Sequence, residues 1–428
     1  MLSVYRRIFA PPGSLGFSAA GFIARMPISM TSVGIVTMLS QLRGQYRLAG
    51  AVAATLALAT ATLGPQISRL VDRHGQRRVI LPATAVTVAA MGALLLCARY
   101  NAPNWTLFVT AAVAGCMPSM GSLVRARWAE IYRGSPQLHI AYSLESVLDE
   151  VIYIVGPILS IGLCTVAFPE AGPLLSACLL ALGVVLFAAQ RRTEPSLKPE
   201  AQRTGGSALK SRGLGAVALT FVAVGAIFGS VDVVTVAFAG EHHHKAFASV
   251  LLAVYALGSC VAGIVFGTVR PRGPLSRQFL IGVSTMAASL VPLLFAPNLA
   301  VLTGMLLVAG MSIAPTIITA MGLVERLVPA ARLTEGMTWT ATGLAVGVAL
   351  GSSAAGWVVD AAGAADGYAV TVAAGLLATV VASLALPRLR VDAGQRTPRS
   401  CGKIARRRAG RRQADSGGSS GEVRRRSR

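Results

Sequence analysis

The stretch GPQISRLVDRHGQRRVI, residues 64–80, sets an acid, four arginines and Gly75 between two long apolar runs. Those runs decide the fold class. Between Arg47 and Arg69 lie 21 uncharged residues, between Arg78 and Arg99 lie 20, and between Arg99 and Arg125 lie 25. A further 47 run from Gln278 to Val324, broken only by the turn signal APN at 296–298. A helix needs roughly 20 apolar residues to cross a hydrocarbon core of ~30 Å, so each block has the length of a span. The blocks also lack the polar stripe that a soluble helix shows every turn. Of the 428 residues 54% are hydrophobic and 13% charged, about half the charge of a soluble domain. The chain reads as an all-α, polytopic membrane protein.

Blocks and Gly/Pro punctuation predict twelve transmembrane helices, near 14–41, 48–70, 79–98, 104–125, 140–166, 171–190, 213–239, 246–268, 278–295, 299–325, 334–360 and 367–387. With the N-terminus inside, 34 of the 39 Lys and Arg fall on the inner side. Arg43, Arg47, Arg99 and Lys245 fall outside and Arg25 lies within the first span. Basic residues collect on the cytoplasmic side of membrane proteins, so both termini are expected in the cytoplasm. The beginning of the chain, MLSVYRRIFAPPGSLGF, shows no apolar core followed by a small-residue cleavage site, and the first span is expected to serve as the insertion signal. Five of the six cysteines fall inside spans and Cys401 in the tail. No Cys-x-x-Cys pair occurs, and the cysteines read as small apolar fillers.

The polar stretch at 191–213, rich in Pro, Gly and mixed charge, reads as a cytoplasmic linker. It divides the chain into a six-helix bundle at 1–190, the linker proper at 191–212, a second six-helix bundle at 213–387 and a basic tail at 388–428. The bundles echo each other. SRLVDRHGQRR (68–78) and GTVRPRGPLSR (267–277) are basic inner loops at an offset of 199, and MPSMG (117) and APTII (314) place prolines in the fourth span of each half at an offset of 197. Duplicated six-span halves that handle a substrate between them are a transporter plan.

SRLVDRHGQRR resembles the inner-loop motif of the major facilitator superfamily (MFS), G-x-L-a-D-r-x-G-r-k. Leu70, Asp72, Arg73, Gly75 and Arg77 fall on it, with Arg78 following. Ser68 stands where the first glycine is expected and Gln76 where a basic residue is common. The resemblance covers 14–387. It implies two pseudo-symmetric bundles and a latch in which Asp72 and its arginines hold the halves in one state. Elementary chemistry is compatible: Gly75 suits a backbone with φ > 0, Asp72 suits a helix N-terminus, and the arginines suit anionic lipid phosphates at the inner leaflet.

Charges inside spans cost ~2.5–3.5 kcal/mol each on insertion scales and are candidates for function. Arg25, in GFIARMPISM (21–30), lies ~16 Å into the first span at 1.5 Å per residue. Asp149 and Glu150, in AYSLESVLDEVIYIVGPILS (141–160), lie at ~12–14 Å from the same side. Arg25 is therefore expected to meet Asp149 or Glu150. One arginine facing two carboxylates leaves room for a protonated acid, which suits a proton-coupled step; a purely structural ion pair is the other reading. Ser146, Asp149/Glu150, Tyr153 and Gly156/Pro157 share one helix face. Gly156-Pro157 resembles a shortened form of the motif that drug–proton antiporters of the superfamily carry in this span, although most of that motif's glycines are absent. Pro157 also permits a bend. Asp232 (FGSVDVVTVAF, 228–238) is expected in the outer half of the seventh span, as a cavity acid for a proton or a cationic substrate, or as one that snorkels outward. Glu145 is expected at the inner interface, and Arg125 and Arg127 as anchors of the inner boundary. Gly343, Gly347, Gly351 and Ala355 recur every four residues, spacing that lets helices approach closely.

Other signals are discounted. Consecutive His242, His243 and His244 in a short outer loop cannot readily chelate one ion, so no metal site is expected. No Walker loop appears, which leaves ATP-driven transport unsupported; no cofactor or enzymatic activity is expected. The tail holds 14 basic and 3 acidic residues, a disorder-like composition suited to anionic lipid. It has no aromatics to stack on bases, so nucleic acid is not an expected partner. The resulting expectation is a monomeric secondary transporter in the cell membrane (the inner membrane of a bacterium) that exports a small organic molecule in exchange for protons. Metabolite uptake, and a non-transporting sensor acting through the tail, are the alternatives.

Overall fold

The structure is a computed structural model that describes residues 2–197, 206–242, 247–269 and 272–389. The basic tail, His243, His244, Lys245 and part of the linker lie outside the described residues. Among the described residues every regular element is helical, and eleven helical stretches are long and apolar enough to cross a membrane. The fourth expected span makes the twelfth crossing as two shorter helices.

A short helix α1 (Leu2–Ile8) precedes the first span, which is built from α2 (Ser14–Arg25) and α3 (Pro27–Arg43). Next come α4 (Tyr46–His74), α5 (Gln76–Arg99), α6 (Asn104–Ala114), α7 (Met120–Ile131), α8 (Gln137–Val166) and α9 (Ala171–Ala189). After the linker follow α10 (Leu214–Glu241), α11 (Ala248–Thr268), α12 (Leu275–Leu290), α13 (Leu299–Gly310), α14 (Ile313–Leu327), α15 (Leu333–Ala362) and α16 (Ala364–Leu389).

Three spans expected as continuous are interrupted. Pro27 has no N–H to donate to the Ile23 carbonyl; the Met26 N–H takes that oxygen instead, at 3.3 Å in a tighter turn, and α2 ends there. Pro118 lies in the non-helical stretch between α6 and α7. The break between α13 and α14 falls at Met311–Ser312, two residues before Ala314-Pro315. Pro315 sits in the first turn of α14, where its missing N–H costs no helical bond.

The interrupted spans pack through glycines. A methyl group added at Gly115 would overlap the backbone of Ala59 on α4, and one at Gly310 would overlap the carbonyl of Tyr255 on α11. Each glycine lies just before its helix break. The two contacts stand 196 residues apart at one partner (59 to 255) and 195 at the other (115 to 310), close to the offsets seen in the loops. The tightest packing is between α10 and α15: Gly225 and Gly229 face the carbonyls of Leu344 and Val348, while Gly343, Gly347 and Gly351 face those of Ala218, Val222 and Ala226. Small residues bring the two backbones together where bulkier side chains would hold them apart.

Large apolar side chains cover the outside. Leu96, Leu182, Trp357 and Leu384 are all exposed, an arrangement that water would penalise and lipid favours.

Polar contacts seal one end of the molecule. Between α4 and α15, Ser68 and Thr338 share a hydrogen bond of 2.8 Å, and Thr342 donates to the Ala61 carbonyl at 3.3 Å. Between α8 and α11, Ser143 donates to the Gly263 carbonyl, and His139 Nε2 meets the Phe266 carbonyl at 2.8 Å. Tyr5 of α1 donates to the Ile264 carbonyl at 2.9 Å. Apart from the Thr342–Ala61 bond, near the middle of α4, these bonds lie toward the helix ends on the side of the linker, here termed the linker face.

Candidate functional site

The first span is broken where its charge sits. Arg25 ends α2, immediately before Met26-Pro27, and is fully buried. Its Nε donates to the Gly21 carbonyl at 3.2 Å, Nη1 donates to Asp149 at 2.7 Å, and Nη2 pairs with Glu145. Asp149 receives a second arginine, Arg125 of α7, at 2.5 Å. Glu145 also accepts the Trp128 indole N–H at 2.7 Å and the Ser18 hydroxyl at 3.1 Å. The result is a chain, Glu145–Arg25–Asp149–Arg125, of two cations and two anions. Its charges cancel, and every carboxylate in it holds at least two donors. Charges removed from water are tolerated when paired and hydrogen-bonded in this way.

Two sequence expectations need correction. Glu145 does not reach the inner interface: it lies one helical turn before Asp149 on the same face of α8 and is fully buried. Arg125 does not stay at the inner boundary, because α7 restarts after the break with this side chain turned inward onto Asp149, whereas Arg127 is buried among the linker-side ends of α5 and α9. Arg127 donates to Gln76 at 2.7 Å, to the Gln190 carbonyl at 3.0 Å and to Thr193 at 2.9 Å. Its guanidinium lies 3.7 Å from the centre of the Phe187 ring, a cation–π contact.

Glu150 is turned away from Arg25. It accepts the hydroxyl of Ser259, on α11, at 2.6 Å and, among the described residues, makes no ion pair. Asp232 on α10 makes none either. Tyr153, one turn beyond Glu150 on α8, is 54% exposed. Tyr255, one turn before Ser259 on α11, is buried, and its hydroxyl has no hydrogen-bond partner among the described residues. The Glu150–Ser259 hydrogen bond ties the middle of α8 to α11. Ser259 and Tyr255 went unnoticed in the sequence, where one Ser and one Tyr in an apolar helix carry no distinguishing pattern. Trp128 and Glu145 could have been found, since 125/128 and 145/149 are helical neighbours at three and four residues.

The loop at 68–78 lies on the linker face, against the start of α15. Gly75 has a φ of 94°, which side-chain-bearing residues rarely adopt. The carboxylate of Asp72 caps α15, accepting the Thr334 N–H at 3.3 Å and the Glu335 N–H at 2.9 Å, where the helix dipole favours an anion. Glu194 of the linker accepts the Arg77 N–H at 3.0 Å. Leu70 and Arg78 point outward. A cleft lined by Asp72, Gly75, Gln76, Glu130 and Arg133 lies beside Asp72. Gly156 packs on Ser29 so closely that a methyl group there would collide with its hydroxyl, and Pro157 sits inside the unbroken α8. No group of three metal-ligating side chains occurs among the described residues.

Comparison with known proteins places this architecture. Three solved structures share the fold at low sequence identity. A bacterial homologue of the iron transporter ferroportin, in an outward-facing state, matches with a TM-score of 0.69 and 16% identity, covering 87% of this chain and 98% of that one. The human organic anion transporter MFSD10 gives 0.62 and 14%, covering 89% and 98%. The E. coli fucose:proton symporter FucP gives 0.66 and 13%, covering 89% and 99%. No curated protein matches the sequence. The Major Facilitator Superfamily model matches residues 17–272 and 217–410, nearly the whole length. The chain belongs to the major facilitator superfamily of multi-pass membrane transporters.

Proposed function

We propose that this transporter exports a small organic solute in exchange for protons, with Glu150 as the residue that takes up and releases the proton. One observation supports this above the others. Asp149 is held between two arginines and has no need of a proton, whereas among the described residues its neighbour Glu150 has only a hydroxyl donor from the facing helix. A carboxylate without a cation in a low-dielectric setting favours its protonated form, and separation of α8 from α11 would expose it to water. Proton uptake and helix separation are coupled in this way. The Gly156-Pro157 element supports the export direction through its resemblance to antiporters.

The linker face is cytoplasmic in this reading, as the distribution of arginines favours. The described conformation is then closed to the cytoplasm, and the Asp72 cap on α15 acts as its latch. The protein works as a monomer in the cell membrane, with the basic loops and tail against anionic lipid. Two experiments test the reading. Reporter fusions at both ends should place them in the cytoplasm. In everted vesicles holding an imposed proton gradient, a library of organic solutes should contain compounds that collapse the gradient, read by a pH-sensitive dye. Glu150→Gln should abolish that response. Solute flux that ignores the gradient refutes the proposal.

A further inference from the structure

The short helix α1 stands before the first span, yet it touches both bundles. Its base belongs to the first. Ile8 is fully buried, the Tyr132 hydroxyl donates to the Ile8 carbonyl at 2.8 Å, and the Phe9 ring meets the Trp128 indole edge-on, 6.0 Å between centres. Tyr5, one turn earlier, reaches the second bundle. Its hydroxyl donates to the Ile264 carbonyl of α11 at 2.9 Å and lies 3.2 Å from the Ser143 hydroxyl of α8, which donates to the neighbouring Gly263 carbonyl. Gly267, one turn further along α11, makes the room: a methyl group there would overlap both hydroxyls. A carbonyl bonded along its own helix keeps a second lone pair, so this junction can form and break without unravelling α11. The matching segment of the second bundle behaves differently. The short helix Ala208–Lys210 leads into α10 as α1 leads into α2, and Ser207 at its start bonds to Glu335 of α15, inside its own bundle. The duplicated fold therefore does not itself demand a crossing contact, and the one made by Tyr5 calls for another reason.

We propose that α1 is a clasp on the transport cycle: fixed to the first bundle through Ile8 and Phe9, it holds the linker face shut through the Tyr5 hydroxyl on α11 and lets go when the bundles part there. The clasp rests on the rocking of two bundles and on neither the direction of transport nor the proton. Tyr5 is a positioning residue, which biases the two conformations without meeting solute. One neutral hydrogen bond shifts such an equilibrium by roughly two- to tenfold, so a clasp of this strength delays opening and does not forbid it. The neighbouring His139–Phe266 contact engages a carbonyl among the last four of α11, which lack partners within the helix. The end of α11 thus offers acceptors, and α1 and α8 of the first bundle supply the donors.

The test uses the purified full-length protein in mixed micelles, with its native cysteines replaced by serine and one reporter introduced, Val147→Cys, on the part of α8 that faces Gly263. The rate at which a bulky maleimide labels this cysteine reads opening of the α8–α11 seam. Tyr5→Phe keeps the ring, loses the hydroxyl, and should label roughly two- to tenfold faster than the parent. Gly267→Ala, which pushes both hydroxyls off α11, should label at least as fast as Tyr5→Phe. Tyr368→Phe is the control for the loss of any tyrosine hydroxyl: it removes a contact of 3.1 Å with Thr235 inside the second bundle and should leave the rate at the parent value. Labelling of Tyr5→Phe or Gly267→Ala at the parent rate or slower, or equal acceleration by Tyr368→Phe, overturns the clasp. No solute or gradient enters the measurement, so failure of the clasp and failure of proton exchange give different results.

Discussion

Replacing Arg25 with methionine isolates the energetics of the buried charge chain. The substitution keeps an unbranched apolar side chain but removes both of the bonds that Arg25 makes to carboxylates. Asp149 still has Arg125. Glu145, fully buried, is left with only the Trp128 indole and the Ser18 hydroxyl. Removing one partner from a buried ion pair costs about 3–5 kcal/mol, a loss of roughly 10²–10⁴-fold in the ratio of folded to unfolded protein at ~1.4 kcal/mol per tenfold. Glu145→Gln alone should be milder, because Arg25 keeps Asp149; the expected loss is about 1.5–3 kcal/mol, the worth of a charged hydrogen bond. The double variant Arg25→Met/Glu145→Gln removes one charge of each sign and leaves Asp149 with Arg125. It should recover most of what Arg25→Met lost. The assay is reversible unfolding in mixed micelles followed by tryptophan emission, with native protein counted by resistance to a brief protease pulse. A loss under about 1 kcal/mol for Arg25→Met, or a double variant weaker than Arg25→Met, would refute the view that the chain balances its own charge.

Two further predictions follow from the packing and the latch. Asp72→Asn keeps one acceptor at the start of α15 but removes the negative charge from the helix N-terminus, worth about 0.3–1 kcal/mol; the sealed state should lose a few-fold in population, read as faster labelling of cysteines introduced along the α4–α15 seam, and unchanged labelling refutes the latch. Gly347→Ala should destabilise the protein by about 1–3 kcal/mol through overpacking against the Val222 carbonyl, whereas Gly356→Ala in the same helix, where a methyl group meets nothing within 4 Å, should leave thermal unfolding unchanged; equal effects would refute the close-packing account.

The fold was legible because insertion into lipid is decided by composition over some twenty residues, a scale on which single side chains matter little. Helix breaks were less so. ARMP at 24–27 and MPSM at 117–120 both contain a proline, but a proline inside a span can either bend a helix, as Pro157 does not visibly need to, or end it, as Pro27 helps to do. Neighbouring helices that re-satisfy the freed carbonyls decide between the outcomes. For the charges, counting rise per residue gave Arg25 and Asp149 the same depth, and in the structure they meet. Depth says nothing of azimuth. Adjacent residues on a helix point about 100° apart, so Asp149 and Glu150 share a level and serve different neighbours, while Glu145, a full turn away, shares a face with Asp149. Ser259 and Tyr255 matter only through what lies across from them, and that information is tertiary.

All four members of the charge chain come from the first, fourth and fifth spans, whereas the seam on the linker face joins α4 to α15 and α8 to α11. A swing that parts those helices tears no ion pair of the chain. It gives up hydroxyl and amide contacts, each worth only about 0.5–1.5 kcal/mol, together with the carboxylate bonds of Asp72 to α15 and of Glu150 to Ser259. The heavy electrostatics ride as ballast within one body, and the hinge work is left to light, interchangeable bonds. Such a partition keeps the two conformations near in energy, so that the arrival of one small cargo is enough to tip them.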